Sequence, residues 1–313
     1  MYAKFSVKIT QNLLKITILH QKCFLKDFIS ILFQLISRAM ATFYNFSEAY
    51  VLVQERYKQA EFRVLKKALA WLLTTVLMLL FAITLIVLHP FHILFSFFGY
   101  RVYMFISHLM MWIVWKITYL VGTKTRLEGL ENLNNLPKDR PIIIVSNHQS
   151  EFEIACLGAL FGRTSHHLKY IAKKELAYWI PSVSWNIRYG GHGIISRNNR
   201  ELAFKAIEKF AANVKKNNWA AYIYPEGTRN KNSNDMRPFK TAGFVKLCEC
   251  LPEALVIPIS LENFWTVKHT PIVPFAQMRV HIFEPISQED FENSEKLLQH
   301  CEKTIRKELG LAV

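Results

Sequence analysis

From Lys124 onward the 313-residue chain predicts an α/β fold, a mixed and largely parallel sheet flanked by helices, preceded by an N-terminal pair of hydrophobic membrane helices. Two patterns predict it. Short apolar runs alternate with amphipathic segments after Lys124, as expected where helices cover a sheet. Before them, Ala68 to Leu88 reads "ALAWLLTTVLMLLFAITLIVL" without a single charge, about the ~20 residues needed to cross ~30 Å of hydrocarbon. The organisation that follows is a basic segment of unassigned role over residues 1–60, membrane-embedded helices over 61–123 and an α/β domain over 124–313.

Charge sharpens this division. The net charge is +15, of which residues 1–67 carry +7, 68–123 carry +2 and 124–313 carry +6. A basic block directly before an apolar one suits anionic lipid headgroups and the cytoplasmic side of a membrane. Nucleic acid is not an expected partner, because the bases of the last segment are interspersed with acids and no nucleic-acid motif accompanies them. Five scattered cysteines without a Cys-x-x-Cys pair suggest neither a disulfide framework nor a zinc ribbon.

Residues 1–60 carry no legible motif, and Met40 is an alternative start. The first apolar stretch lies too far from the start for a signal peptide, and Pro90 is expected to end its helix. A second stretch, Val102 to Val121, is interrupted by His108 and Lys116. Lys66 and Lys67 precede the pair and Lys124 and Arg126 follow it, so a hairpin or re-entrant pair returning to its starting side is the economical topology.

In the α/β part, "PIIIV" reads as a buried strand, and a short strand in "LKYIAKKEL" ends near Lys173 and Lys174. "GIIS" is a third strand, after a flexible Gly190-Gly191-His192-Gly193 run. Ala203, Ala206, Ile207, Phe210 and Val214 recur at helical spacing, with Asn198 or Asn199 as cap and Lys215 and Lys216 at the carboxyl end. "WAAYIY" is a strand entering Pro225-Glu226-Gly227-Thr228-Arg229, "LVIPIS" a further strand, and "DFENSEKLLQHCEKTIRKELG" a closing helix.

Chemically loaded turns therefore follow strands at His148, Lys174, Arg197, Glu226 and Arg229, and turns at the strand ends of one sheet can converge. In "NHQSEFE", His148 and Glu153 are five residues apart, roughly 140° around a helix, so they meet only if His148 lies in a turn before the helix. Ser150 and Glu153 also fit a capping box, and the two readings are compatible. A histidine held by a carboxylate is a general base for a hydroxyl. Without a Gly-x-Ser-x-Gly elbow to supply an enzyme nucleophile, that hydroxyl belongs to the substrate. Arginines near strand ends point to phosphate, the Walker pattern is absent, and a neighbouring membrane makes a lysophospholipid the natural acceptor. His166-His167 reads as a surface pair rather than a metal site, Cys248 and Cys250 as packing, and Glu226 has the alternative of merely bonding turn amides.

Four ordered blocks carry a resemblance over about Lys124 to Ser287. They are Asn147-His148-Gln149-Ser150 with an acid at 153, Gly193-Ile194-Ile195-Ser196-Arg197, Tyr224-Pro225-Glu226-Gly227-Thr228-Arg229, and Val256-Ile257-Pro258-Ile259. Together they resemble the glycerolipid acyltransferase family, whose type member is 1-acyl-glycerol-3-phosphate acyltransferase. The resemblance implies acyl transfer from acyl-CoA or acyl-carrier protein, with no further cofactor and no metal, to a lysophospholipid, most often lysophosphatidic acid. It implies His148 as base and Glu153 as the acid that orients it. Arg197, Glu226, Gly227, Thr228 and Arg229 would bind the phosphorylated acceptor, with Lys174 a weaker candidate for the same task. The block around Pro258 would shape the donor site or the sheet. The family's usual acid is aspartate; Glu153 is similar to the His-Gln-Ser-x-aromatic-Glu block of some bacterial members, which implies a bacterial inner membrane with the catalytic domain on the cytoplasmic face. Acyltransferases for other lysophospholipids, a catalytically silent lysophospholipid binder and a lipid hydrolase are the competing readings.

Overall fold

The structure, a computed structural model, describes residues 63–196, 199–230 and 233–312. The basic segment 1–60 and the alternative start at Met40 lie outside them.

Helix α1 (Arg63–Ser96) and helix α2 (Tyr100–Ile117, continued by a 3-10 turn Thr118–Val121) hold the two apolar stretches. Pro90 does not end the first helix, as expected, but lies inside it. A proline inside a helix removes one hydrogen bond and kinks or breaks it unless packing compensates. Here His92 Nδ1 lies 3.0 Å from the Leu88 carbonyl, and the break comes at Phe97–Gly99, where Gly99 adopts φ 94°.

Two faces of α1 have opposite surroundings. Ala70, Thr74, Leu77, Leu85 and His92 are buried, whereas Leu72, Val76, Leu79, Ile83 and Ile86 on the other side are exposed. The α/β part contacts the buried face at several levels. Ile272 N donates to Thr74 Oγ1 at 2.9 Å, the rings of Phe81 and Phe152 lie 5.7 Å apart, Ser182 Oγ donates to the Leu85 carbonyl and Ser182 N to His89 Nδ1. Thr74 to His89 is about 22 Å of helix, so α1 lies along the α/β part instead of projecting from it. Helix α2 packs still more intimately, with Met110, Met111, Val114 and Trp115 in the same core as the sheet. The division expected at residue 123 marks a change of sequence pattern, and Lys67 onward forms one compact unit.

The eight-stranded sheet is built from β1 (Lys124–Glu128), β2 (Ile142–Ser146), β3 (Leu168–Lys173), β4 (Gly193–Ile195), β5 (Ala220–Ile223), β6 (Leu255–Glu262), β7 (Gln277–Ile282) and β8 (Ile286–Ser287), in the order β1-β7-β6-β2-β5-β3-β4 with β8 on β6. The pairings of β2 with β5 and β6, of β3 with β4 and β5, and of β1 with β7 are parallel; β6 pairs antiparallel with β7 and β8. This is the mixed, largely parallel sheet the sequence predicts. The connecting helices are α3 (Glu131–Asn134), α4 (Phe152–Phe161), α5 (Val183–Tyr189), α6 (Arg200–Asn217), α7 (Thr241–Cys250) and α8 (Ser294–Glu308).

β2 is apolar from Ile142 to Val145 because both faces are covered. Ile142 and Ile144 enter the core formed with α1, α2 and α4, while Ile143 and Val145 enter the one formed with α6, α7 and α8. Pro258 tolerates a central strand by falling between the residues of β6 paired to β8 and those paired to β7. The cap expected at Asn198 or Asn199 is Asn199, which accepts from Leu202 N at 3.0 Å, and Asn293 caps the closing helix by accepting from Lys296 N at 2.9 Å. The charged edge strand β1 and the terminal strands β7 and β8 were not legible as strands.

Candidate active site

Strand β2 ends at Ser146, and the residues up to the start of α4 form the turn that carries His148. That turn is held from three sides. The Asn147 side chain donates to the Leu261 carbonyl and accepts from Leu261 N, both at 2.8 Å, fastening it to β6. Gln149 accepts from Phe264 N at 2.8 Å and donates to Asn234 at 3.1 Å. Asn230 N donates to the His148 carbonyl at 2.7 Å, joining it to the turn after β5.

His148 Nδ1 lies 2.5 Å from Glu153 Oε1. Glu153 is fully buried at the start of α4, where its carboxylate accepts from Gln149 N at 3.0 Å and Ser150 N at 2.9 Å. Half of the capping pattern is thus present: the acid reaches back to Ser150 N–H, while Ser150 Oγ accepts from Phe152 N instead of completing the box. Negative charge at a helix start also complements the dipole. The imidazole stacks on Tyr224 with centroids 3.8 Å apart, so its plane is fixed by an aromatic ring and its tautomer by a carboxylate. Engagement of Nδ1 leaves Nε2 as the atom available for proton transfer.

Glu226 is 1% exposed and gives its carboxylate to backbone amides, accepting from His148 N at 2.6 Å and Arg237 N at 2.9 Å. It joins the two turns behind the histidine. Burial is the main cause that raises its pKa to about 7; the amides of Arg237 and His148 oppose the shift and the Glu153 charge reinforces it. Gly227 follows at φ 72°, a conformation disfavoured for residues with a Cβ.

Arg229 Nη1 lies 3.3 Å from Glu151 Oε2, and Lys268 Nζ donates to Glu151 Oε1 at 2.6 Å. Burial alone would raise the Glu151 carboxyl, but the Lys268 bond and the Arg229 charge outweigh it and lower it. Glu151 thereby holds Arg229 against the histidine turn. Thr228 is exposed beside it. Lys174 stands exposed in the one-turn helix after β3, two strands from β2. Arg197 lies outside the described residues.

Several residues of this site were missed in the sequence. Tyr224, Asn147 and Gln149 stand in the sequence only as members of their motif blocks. Lys268, 120 residues from His148, offers no local signal at all. The His166-His167 pair is not on the surface: His166 is buried with Nε2 3.1 Å from the Arg140 carbonyl, and His167 faces His108 with ring centroids 5.2 Å apart. Cys248 and Cys301 pack in the core. Among the described residues Glu128, His281 and Glu308 bring ligand atoms within 4.8 Å, but Arg279 Nη1 already lies 2.8 Å from Glu308 and supplies the positive charge there.

These features define a class. Residues 126–277, just under half of the chain, match the Acyltransferase family model. More particularly, the chain is 32% identical over 207 residues to the 1-acyl-sn-glycerol-3-phosphate acyltransferase of Saccharomyces cerevisiae, covering 63% of this chain and 64% of the other. It is 32% identical over 213 residues to the chloroplastic 1-acyl-sn-glycerol-3-phosphate acyltransferase BAT2 of Brassica napus, covering 66% and 57%. With the human beta enzyme of that name it shares 30% over 158 residues, covering 50% and 54%. The matched region thus spans less than two thirds of the length of these relatives. The crystal structure of the 1-acyl-sn-glycerophosphate acyltransferase PlsC from Thermotoga maritima superposes with a TM-score of 0.63 at 23% identity, covering 78% of this chain and 96% of that one; this likeness shows the shared fold.

Proposed function

We propose that the protein transfers a fatty acyl group from an acyl thioester, acyl-CoA or acyl-carrier protein, to the free hydroxyl of a lysophospholipid, with 1-acyl-glycerol-3-phosphate as acceptor and phosphatidic acid as product. The relatives named for this substrate support the acceptor. One contact carries the reading, the bond between His148 Nδ1 and the buried Glu153 carboxylate.

Nε2 of His148 takes the proton of the acceptor hydroxyl as its oxygen attacks the thioester carbonyl. Glu153 stabilises the imidazolium that forms. The tetrahedral intermediate then expels the thiolate, which takes the proton back from Nε2 as the carbon–sulfur bond breaks. General-base assistance of this kind contributes about 10² to 10⁴ in rate. Arg229, held by Glu151, is suited to the acceptor phosphate through its guanidinium fork, and Arg197, Lys174, Gly227 and Thr228 are proposed to share that task. Glu226 supports the turn from behind.

The same reading makes the protein a membrane protein whose α1 lies in the membrane plane. Among the described residues its outward apolar stripe from Leu72 to Ile86 is exposed, while its opposite face is packed on the α/β part, and an in-plane helix needs that division. The basic residues before Ala68 support a cytoplasmic orientation.

The test is a thiol-release assay on membranes carrying the protein, with a panel of lysolipids and both donors. Lysophosphatidic acid is expected to give the highest rate, and His148→Ala to lower it by about 10³-fold or more with unchanged folding. Unaltered turnover in that variant would overturn the base assignment.

A further inference from the structure

The segment after β3 carries exposed aromatic side chains that the proposed reaction leaves unused. Trp179 is 97% exposed, Tyr189 53% and Tyr178 46%. Trp179 also adopts φ 74°, in a region bulky residues rarely enter. Its surroundings hold it there. Ile180 N donates to Ser184 Oγ and Ser184 Oγ to the Leu176 carbonyl, both at 2.9 Å. Three residues beyond the tryptophan, Ser182 is bonded to Leu85 and His89 of α1. With chain on both sides pinned, the indole is presented outward.

Cations accompany these rings. The Arg188 guanidinium lies 5.5 to 5.7 Å from the ring centroids of Trp185, Tyr178 and Tyr189. Lys173 and Lys174 are exposed at the head of the segment, and Glu175 is the one acid between residues 173 and 189. Trp and Tyr with basic neighbours are the composition of a membrane–water interface. The position agrees, because Ser182 fixes the segment against Leu85 and His89 of α1, whose last turns carry the exposed Phe91 and Leu94.

We propose that residues 173–189 form a second membrane contact, an interfacial anchor whose Trp179 and Tyr178 enter the headgroup layer of an anionic bilayer while Lys173 and Arg188 meet lipid phosphates. It rests on the in-plane reading of α1. The anchor leaves the carboxyl end of β3, the sheet edge at which β2 delivers His148, two strands or about 10 Å away. It therefore sets the site at headgroup depth, where a lysolipid presents its free hydroxyl.

The full-length protein in vesicles of phosphatidylcholine and phosphatidylglycerol, with bromine placed near the ester end of the acyl chains, tests this through tryptophan quenching. Wild type is expected to show a quenched component that Trp179→Ser lacks. Trp179→Ser is also expected to raise the apparent KM for vesicle-borne acceptor, with kcat unchanged and no loss on detergent-dispersed acceptor. Equal quenching in both proteins would overturn the anchor. A parallel Trp71→Phe variant separates the two readings, because Trp71 lies on α1: if Trp71→Phe removes a quenched component and Trp179→Ser removes none, the anchor falls and the in-plane helix stands, whereas if Trp71→Phe removes none, the in-plane helix falls and the anchor with it.

Discussion

At the scale of single residues the site depends on side-chain lengths. Glu153 reaches His148 Nδ1 while its carboxylate also takes the amides of Gln149 and Ser150. An aspartate would withdraw the carboxylate by about one methylene, and misplacement by ~1 Å in a preorganised site costs on the order of 10²-fold. Glu153→Asp is therefore expected to lower kcat by 10- to 100-fold in the thioester assay. A gain of activity from none would instead favour the silent binder. Glu226 gives a stability prediction. Its pKa is about 7 in the folded protein, raised by burial from 4.5, so between those values the folded state binds the extra proton. Its contribution is complete below about pH 4.5 and is lost as pH rises through about 7. Glu226→Gln cannot titrate, so wild type should lose stability relative to it across that window, by on the order of 3 kcal/mol, in urea denaturation at stepped pH. Of this site the sequence disclosed His148, Glu153 and the turn at Glu226, because a histidine closing an apolar run and a Pro-Glu-Gly turn are locally anomalous. Tyr224 and Lys268 stayed silent, because an aromatic ending a strand and a lysine in a loop are ordinary until the chain brings them to the histidine turn.

At the scale of elements, β3 carries an unusual interior residue. Lys169 is fully buried, with Nζ 4.8 Å from the Trp219 ring centroid, 5.3 Å from that of Tyr100 and 3.4 Å from Met104 Sδ. Burial lowers its pKa to about 7. The unfolded chain binds the proton up to about pH 10.5, so stability should rise with pH between about 7 and 10.5, and the contribution of the neutral amine is lost as pH falls through 7. Lys169→Met keeps an unbranched side chain one atom shorter and removes the charge. It is expected to stabilise the protein by on the order of 2 kcal/mol at pH 7 and to abolish that slope; a destabilised variant with the slope intact would show that the amine serves another purpose. The strands that were legible, β2 to β6, are mostly apolar where helices cover the sheet. β1, reading Lys-Thr-Arg-Leu-Glu, has an exposed edge and so lacks the hydrophobic signal. Pro90 shows the converse, a local stop signal overridden by packing.

At the scale of the whole molecule, the apolar stripe on α1 divides membrane from protein. Leu79→Lys with Ile83→Lys places two charges on the outward face without touching Thr74, Phe81 or Leu85. Charges within an apolar bilayer cost about 2.5 to 3.5 kcal/mol each at the centre and less near the surface. The double variant is expected to move most of the protein from the vesicle fraction to the soluble fraction in flotation, with circular dichroism unchanged. Retention on vesicles would place α1 elsewhere. By itself the sequence determined the class of fold, the hydrophobic pair and the histidine–carboxylate motif, because these are written in periodicity, composition and residues close along the chain. Only the tertiary structure decided that α1 lies along the α/β part, that α2 belongs to its core, and that Tyr224, Glu226, Asn147 and Lys268 meet around one turn. Those outcomes depend on which strands become neighbours, and strand order follows from burying every apolar face at once.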